Sequence, residues 1–301
     1  MGLGRLRQPL LPRFRLLLID PRSTRHGYSS RHGAVLLRPA RLGPWDMTTR
    51  PSPDSPLVAR FVASPNHGER RGYSRPNCLI LHYTGMPTGA AALKTLTDPA
   101  SEVSAHYLIW EDGVIDQLVA ENDRAWHAGK AWWKGESDLN SASIGVEIVN
   151  PGHDGGSPPF PERQIAATIA LGRDVCARWA IAPERVLAHS DVAPARKRDP
   201  GEAFPWERLW RAGVGHWTDP ATLSGGALFA HEEEGPPVRA LQAMLALYGY
   251  GVEITGVYDR QTRQAVAAFQ RHFRPGRVDG EADASTVATL KALVEGLGRG
   301  P

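Results

Sequence analysis

The stretch CLILHYT at residues 78–84 is the first of three apolar runs that decide the fold. The other two are SAHYLIWEDGVIDQLV at residues 104–119 and SIGVEIVN at residues 143–150. Their richness in Val and Ile predicts β-strands, and the Glu-Asp-Gly turn inside the second run predicts that it folds back on itself as a β-hairpin. The third run reads as a further buried strand.

Helical patterns lie around these strands. Thr88 is placed to cap an Ala- and Leu-rich segment that reaches Thr97, and apolar residues recur about every 3.6 positions from Pro161 to Ala180. Strands and helices that alternate over residues 47–215 predict an α/β domain with a central mixed β-sheet flanked by helices.

A second, smaller unit follows. Residues 216–235 contain a Gly-Gly pair and a Glu-rich segment and are followed directly by Pro236-Pro237, a composition typical of a linker. Asp259 and Asp283 each stand three residues before a Thr, and this D-x-x-T pattern predicts two capped helix starts in a small three-helix unit at residues 236–298. A unit of this size suits an appended binding module, although a structural extension is the alternative. The three predicted helices are Val238–Tyr248, Thr262–Phe273 and Ser285–Val294.

The positive charge of the chain is concentrated in residues 1–46. This basic leader holds nine Arg against Asp20 and Asp46, a balance of 9 − 2 = +7, so the total of +3 leaves 3 − 7 = −4 for the remaining residues. The folded part therefore gives no reason to expect a nucleic-acid partner. The leader has no apolar core long enough for a Sec signal, so three readings stay open: translation from Met47, a disordered basic arm, or an unrecognised targeting segment. No run approaches the roughly 18 residues of a transmembrane segment.

The cysteines limit the chemistry of any metal site. Only Cys78 and Cys176 are present, and both lie in apolar patterns. Two cysteines cannot supply a Cys-based zinc site or a disulfide framework, and buried inert thiols are the simpler interpretation. A zinc site in this chain would need His and carboxylate ligands.

The segment HSDVAPARKRDPG at residues 189–201 gathers polar groups that soluble proteins seldom bring together without a catalytic or metal-binding role. It places His189, Lys197 and Asp199 on one short segment, while His82 closes the first strand. Two histidines and one carboxylate would leave zinc a fourth position for water, as in catalytic sites. Spacing alone does not favour this set over the other histidines, and a structural role for His82 remains open.

Glu147 is the most informative carboxylate. It lies in the middle of the third apolar run. A buried charge without a partner costs about 3–5 kcal/mol there, so a carboxylate at this position is expected to be paired or functional. Strand alternation places it on the same face as Gly145 and Val149. A Glu beside a metal-bound water would act as the general base, whereas the alternative is a Glu on the solvent face of an edge strand.

These motifs together resemble a known family. LILHYTG, SAHYLIWEDG, AWHAG, SIGVEIVN and HSDVAPARKRDPG with a following FPW occur in the order seen in the zinc N-acetylmuramoyl-L-alanine amidases of the type-2 amidase family, and the likeness covers roughly residues 57–212. The segment GVYDRQTRQAVAAFQRHF resembles the three-helix peptidoglycan-binding domain. The resemblance implies hydrolysis of the amide between N-acetylmuramic acid and L-alanine, with Zn²⁺ as cofactor and peptidoglycan or muropeptides as substrate.

The resemblance also implies roles for individual residues. His82, His189 and Asp199 correspond to the zinc ligands, Glu147 to the catalytic acid and base, and Lys197 to the residue that stabilises the oxyanion. The chain has Ala105 where related phage lysozymes and recognition proteins have Tyr, and Asp199 where they often have Cys. Weaker predictions assign substrate contacts to His127, Trp126, Asn150 and His106, while His106 and His127 remain open to supporting the metal site from behind or to a hydrogen-bonded structural role. Trp132 and Trp133 could extend an aromatic wall or pack in the core.

Two other functions remain open at this stage. One is a peptidoglycan recognition protein without catalysis, and the other is a zinc peptidase that cuts within the stem peptide. We expect a monomer in the cell envelope, in the periplasm, because of the wall-binding unit. A cytoplasmic location is the alternative because no signal peptide is readable.

Overall fold

Residues 52–223, 225–230 and 232–297 are described in the computed structural model, and the predicted leader at residues 1–46 lies outside them. The strands are β1 Arg60–Phe61, β2 His67–Glu69, β3 Cys78–Tyr83, β4 Tyr107–Ile109, β5 Ile115–Gln117, β6 Asp123–Ala125, β7 Ser143–Ile148, β8 Val186–Ala188, β9 Ala227–Phe229 and β10 Ala282–Asp283. The helices are α1 Gly89–Thr97, α2 Leu139–Ala142, α3 Glu162–Trp179, α4 His189–Val192, α5 Trp206–Arg211, α6 Pro236–Tyr248, α7 Arg260–Phe273 and α8 Ala284–Gly296.

A six-stranded sheet in the order β1-β5-β4-β7-β3-β8 forms the centre of the N-terminal part. The pairs β3/β7, β3/β8, β4/β7 and β1/β5 are parallel, and β4/β5 is antiparallel. The predicted mixed sheet is therefore confirmed. The adjacent interior strands β3 and β7 have almost entirely buried residues, as expected for strands with both faces covered.

The predicted local elements are also found. Thr88 accepts the hydrogen bond of the Ala91 amide and caps α1, and the predicted hairpin is formed by β4 and β5 with Gly113 at φ 87 in its turn. The long helix α3 begins after Pro161 and buries an apolar stripe that includes Ile165, Leu171 and Val175. This stripe matches the 3.6-residue period read from the sequence.

The C-terminal helical unit, which we define as α6 to α8 (residues 236–296), contains the two predicted caps. The Asp259 carboxylate accepts from the Thr262 amide at 2.8 Å, and Asp283 accepts from the Thr286 amide at 2.7 Å. The segment predicted as a linker contributes β9, which pairs with β10. Residues 227–229 form a strand there because β10 supplies backbone hydrogen-bond partners. The amino-acid composition of the segment could not predict this pairing.

The helical unit and the sheet share one hydrophobic core. Trp133, in the loop before α2, is fully buried and packs edge-on against Tyr248 and Tyr250, with ring centroids 6.0 and 5.0 Å apart. Trp132 is 45% exposed. Of the two interpretations of this tryptophan pair, core packing therefore holds for Trp133. None of the helices among the described residues is both long and apolar enough for a membrane span.

Candidate metal centre and catalytic site

Three side chains with metal-ligand atoms meet at one edge of the sheet. His82 lies near the end of β3, and His189 follows the adjacent parallel strand β8, so the two strands deliver them to the same edge. Asp199 reaches them from the loop after α4. His82 Nδ1 lies 2.9 Å from His189 Nδ1, and Asp199 Oδ2 lies 3.0 Å from each of these nitrogens. All three residues are buried.

Hydrogen bonds set the tautomer of His82. The Ser143 hydroxyl donates to the Leu139 carbonyl, so its oxygen is left to accept from His127 Nε2 at 3.2 Å. His127 Nδ1 is then the acceptor for His82 Nε2–H at 3.0 Å. The proton of His82 therefore sits on Nε2, and the Nδ1 lone pair points toward the triad.

His189 is held in the same way by the backbone. Its Nε2–H donates to the Ala128 carbonyl at 3.1 Å, which makes Nδ1 the lone-pair nitrogen of the neutral ring. Burial, together with the neighbouring His189, lowers the pKa of His82 to about 4, so this imidazole is neutral at pH 7.

The donor set fits a zinc ion. Two nitrogen lone pairs and an ionised carboxylate oxygen converge within 3.0 Å, which is repulsive unless a cation lies between them. Tetrahedral zinc with bonds of about 2.0–2.2 Å separates its ligand atoms by about 3.3 Å, close to the observed spacing. Each histidine also has the hydrogen-bonded outer nitrogen that metal-binding imidazoles usually show.

A cavity of about 360 Å³ opens beside the triad. Glu147, on β7, is the register partner of His82 on β3, and it lines this cavity. Because β7 lies between β4 and β3, the edge-strand interpretation of Glu147 is wrong. Its Oε2 is buried and has no hydrogen-bond partner among the described residues. Burial, helped by the charge of Asp199, raises the pKa of Glu147 well above its usual value, while Lys197 opposes the rise.

The face of β7 that carries Glu147 also carries two residues that the sequence did not single out for the site. Alternation places Ser143 and Gly145 on that face, where Ser143 bonds His127. A Cβ on Gly145 would lie 2.4 Å from the His127 ring, so the absence of a side chain makes room for the imidazole that supports His82. The S-x-G-x-E alternation was visible in the sequence, but the ring above Gly145 was not.

The basic run at residues 196–198 divides into three roles. Lys197 lines the cavity and has no ion-pair partner within the described ranges. Arg196 donates to the carbonyls of Ala128 and Lys130 at 2.9 and 2.6 Å and fixes the loop that also accepts from His189. Arg198 pairs with Asp154 at 3.0 Å. The sequence alone gives Arg196 no such role, because its carbonyl partners are more than 60 positions away.

The remaining predicted site residues are divided between cavity and core. Trp126 and His127 line the cavity. His106 does not, because it is fully buried: its Nδ1 accepts from the Gly145 amide at 2.9 Å, and its Nε2 lies 3.1 Å from the Asp123 carbonyl. The Asn150 side chain holds its own loop through the Pro158 carbonyl and the Gly152 amide. Substrate contacts by His106 and Asn150 therefore find no support in this geometry.

Comparisons with known proteins agree with this geometry. Residues 72–202 match the family described as N-acetylmuramoyl-L-alanine amidase, and residues 234–290 match the putative peptidoglycan binding domain. The chain is 41% identical over 241 residues to N-acetylmuramoyl-L-alanine amidase AmiD of Escherichia coli K12, covering 75% of this chain and 85% of AmiD. It is 35% identical over 168 residues to 1,6-anhydro-N-acetylmuramyl-L-alanine amidase AmpD of Enterobacter cloacae, covering 50% of this chain and 88% of AmpD.

Two solved structures extend the comparison. The complex of Escherichia coli AmiD with the substrate anhydro-N-acetylmuramic acid-L-Ala-D-γ-Glu-L-Lys superposes with a TM-score of 0.65 at 38% identity and covers 78% of this chain and 99% of AmiD. AMPDH3 from Pseudomonas aeruginosa superposes with a TM-score of 0.63 at 34% identity and covers 75% of this chain and 94% of that chain.

Proposed function

The chain belongs to the N-acetylmuramoyl-L-alanine amidase family, and on that premise we propose how its residues perform the reaction. The enzyme hydrolyses the amide bond between N-acetylmuramic acid and L-alanine. In our proposal His82, His189 and Asp199 hold zinc, Glu147 transfers the proton and Lys197 stabilises the negative charge that develops on the carbonyl oxygen.

Zinc bound at the triad would supply a Lewis acid that polarises the scissile carbonyl and lowers the pKa of a water molecule. The observation that carries the proposal is the position of Glu147 in the cavity wall, opposite His82 and with an unpartnered carboxylate oxygen. From there Glu147 takes the proton of the attacking water. It then delivers that proton to the nitrogen of L-alanine as the amide bond breaks.

Lys197 faces the same cavity and brings a cation that no carboxylate of the described residues neutralises by a direct ion pair. Its ammonium is available to the oxygen that becomes negative in the tetrahedral transition state. Trp126 and His127 line the cavity near the triad. Trp126 is the better candidate for substrate contact, because the ring nitrogens of His127 are already hydrogen-bonded to His82 and Ser143.

Glu147→Gln tests the central step. The variant keeps the size of the side chain but cannot accept a proton, so we expect an equimolar zinc content and a loss of L-alanyl peptide release of about 10²–10⁴-fold. Glu111→Gln, in the exposed hairpin turn, is the matched control and should behave as wild type. Metal analysis and mass spectrometry of muropeptide digests provide the two measurements.

The product masses also separate the rival functions. A stem peptidase would leave L-alanine attached to the sugar, and a recognition protein without catalysis would release nothing. Near-normal turnover by Glu147→Gln would mean that another group acts as the base, and the proposal would then fail.

We propose further that residues 47–215 are the amidase domain and that the three helices within residues 236–298 bind peptidoglycan, with a substrate range that includes anhydro-muropeptides. The match of residues 234–290 to a peptidoglycan binding domain and the anhydro-muramyl peptide bound by AmiD support this. Both also favour action in the cell envelope, in the periplasm. Recovery of the full chain only from the cytoplasm in cell fractionation would contradict that location.

A further inference from the structure

The C-terminal helical unit touches the segment that carries a metal ligand. Asp191 lies in α4, two residues after His189, and is fully buried. Its Oδ1 accepts from the Tyr250 hydroxyl at 2.7 Å, and its Oδ2 accepts from His272 Nδ1 at 2.6 Å and from the Ala188 amide at 2.8 Å. Two of these three donors come from the helical unit.

The contact around His272 is closely packed. Its ring stacks on Trp206 of α5, with centroids 3.7 Å apart and an angle of 26° between the planes. On the other side it stacks on Phe273, with centroids 3.8 Å apart. The imidazole is 2% exposed. His272 is therefore fixed by apolar rings from both parts of the chain, with its Nδ1 aimed at Asp191.

A second line of contacts begins at the neighbouring residue of α7. Arg271 Nε lies 3.9 Å from the Glu202 carboxylate, which lies 3.0 Å from His153 Nε2. His153 Nδ1 in turn pairs with the Tyr83 hydroxyl at 2.9 Å. Tyr83 follows His82 in the chain and lines the cavity. His272 and Arg271, which are consecutive in α7, thus contact two different segments that carry metal ligands: His272 contacts α4, which carries His189, and Arg271 leads through Glu202 and His153 to Tyr83, next to His82.

The helix that carries His189 cannot maintain its own orientation. A helix of four residues has a single turn and is unstable in isolation, so α4 depends on contacts from outside. A buried carboxylate must also be fully hydrogen-bonded, or its charge becomes costly. Withdrawing a donor from Asp191 therefore favours a shift of α4 that brings water or another donor to the carboxylate. His189, which is part of the same turn, would move with it.

We propose that the C-terminal helical unit is a positioning partner of the metal centre: through Tyr250 and His272 it holds Asp191, and through α4 it orients His189 for the metal. This inference rests on the proposed zinc site. It adds a second role to a unit whose family match describes wall binding. The residues concerned are positioning residues, since none of them contacts the reacting atoms.

The test compares two Tyr→Phe variants of the full chain. Tyr250→Phe removes the hydroxyl that reaches Asp191, whereas Tyr258→Phe removes an equally buried hydroxyl that donates to the Gly280 carbonyl at 2.8 Å. Loss of an outer partner of a metal ligand typically weakens metal binding 10- to 100-fold, and because Tyr250 acts through α4 we expect about 10-fold for Tyr250→Phe. Tyr258→Phe should bind zinc as wild type does.

Two readouts separate positioning from simple loss of stability. Zinc affinity is measured by competition with a chromogenic chelator, and the visible absorption of the cobalt-substituted protein reports the ligand geometry. Thermal unfolding of both variants in the zinc-free form gives the stability loss alone. We expect a loss of stability in both variants but a changed affinity and cobalt spectrum only for Tyr250→Phe.

A second pair keeps the inference testable if Tyr250→Phe does not fold. His272→Asn retains an N–H donor near the Nδ1 position, whereas His272→Leu does not, and both lose the ring stack on Trp206. Only the Leu variant should lose zinc affinity. Wild-type affinity and an unchanged cobalt spectrum in folded Tyr250→Phe, or equal affinities of the two His272 variants, would overturn the inference. Failure of the wild-type protein to bind zinc would instead overturn the proposed function.

Discussion

Gly145→Ala is a one-carbon change that should disturb the metal centre without touching a ligand. The added Cβ would lie 2.4 Å from Cγ of His127 and 2.5 Å from its Cδ2 and Nδ1. Carbon atoms in contact prefer about 3.5–4.0 Å, so the imidazole must move by about 1 Å. The His127 ring cannot move freely, because its two nitrogens are hydrogen-bonded to His82 at 3.0 Å and to Ser143 at 3.2 Å.

The size of the effect follows from these bonds. A displacement of about 1 Å carries a hydrogen bond of 3.0 Å beyond its working range, so His82 loses the acceptor that fixes its tautomer. Removing such an outer partner lowers metal affinity by about 10- to 100-fold. This corresponds to about 1.4–2.8 kcal/mol of binding free energy. Overpacking adds a loss of folding stability of about 1–3 kcal/mol.

The assay is a zinc competition titration, with thermal unfolding run in parallel. Gly68→Ala is the matched control, since Gly68 lies in β2 and its added Cβ would meet no heavy atom within 4 Å. The decisive step is a double-mutant cycle with His127→Ala. In that background the clash is absent, so Gly145→Ala should cost little further affinity, and the two changes should be strongly non-additive.

Two results would refute this reasoning. Zinc affinity of folded Gly145→Ala within about twofold of wild type would mean that the His127 ring adjusts without releasing His82. Additive losses in the cycle would mean that Gly145 acts on the metal by a route that does not include His127.

Two further predictions concern the cation and the thiols. Lys197→Met should keep its zinc but release peptide about 10²–10³-fold more slowly. Lys291→Met, on the exposed face of α8, should release peptide at the wild-type rate. Full activity of Lys197→Met would exclude the oxyanion role. Burial raises the pKa of Cys78 and of Cys176 to about 12. At pH 8 the thiolate fraction of each native cysteine is therefore about 10⁻⁴, compared with about one in four for a free thiol. A thiol reagent should label the two cysteines only after denaturation. The folded state keeps the two thiol protons above about pH 8.5, where the unfolded chain releases them, so the folding stability should fall as the pH rises above that value. Rapid labelling of the native protein would contradict the raised thiol pKa values and this pH dependence.

Much of the fold was predictable because its signals are local. The strand around Cys78–Tyr83, the hairpin and the long helix α3 follow from apolar periodicity within each segment. The caps at Thr88, Asp259 and Asp283 need only a side chain and an amide three positions away. Such patterns do not depend on how the segments are arranged in space.

The candidate site was predictable to a smaller extent. The residues alone left His82 open to a structural role and Glu147 open to a solvent-facing one. Only the strand order decided between these alternatives, because β7 lies between β4 and β3 and pairs Glu147 with His82. The sequence did not predict that the triad is supported by Arg196, Ser143 and Gly145. That support depends on the path of the loop at residues 126–130, which only the tertiary structure shows.

The sequence by itself determined the elements, their caps and the set of residue types available for zinc chemistry, because these depend on neighbours within a few positions. The tertiary structure alone decided which lone pairs converge, how the histidine tautomers are set, and that the C-terminal helical unit shares a core with the sheet. It also alone placed Tyr250 and His272 on Asp191. The physical reason is that burial and hydrogen bonding between residues 59 and 81 positions apart exist only once the chain has closed on itself.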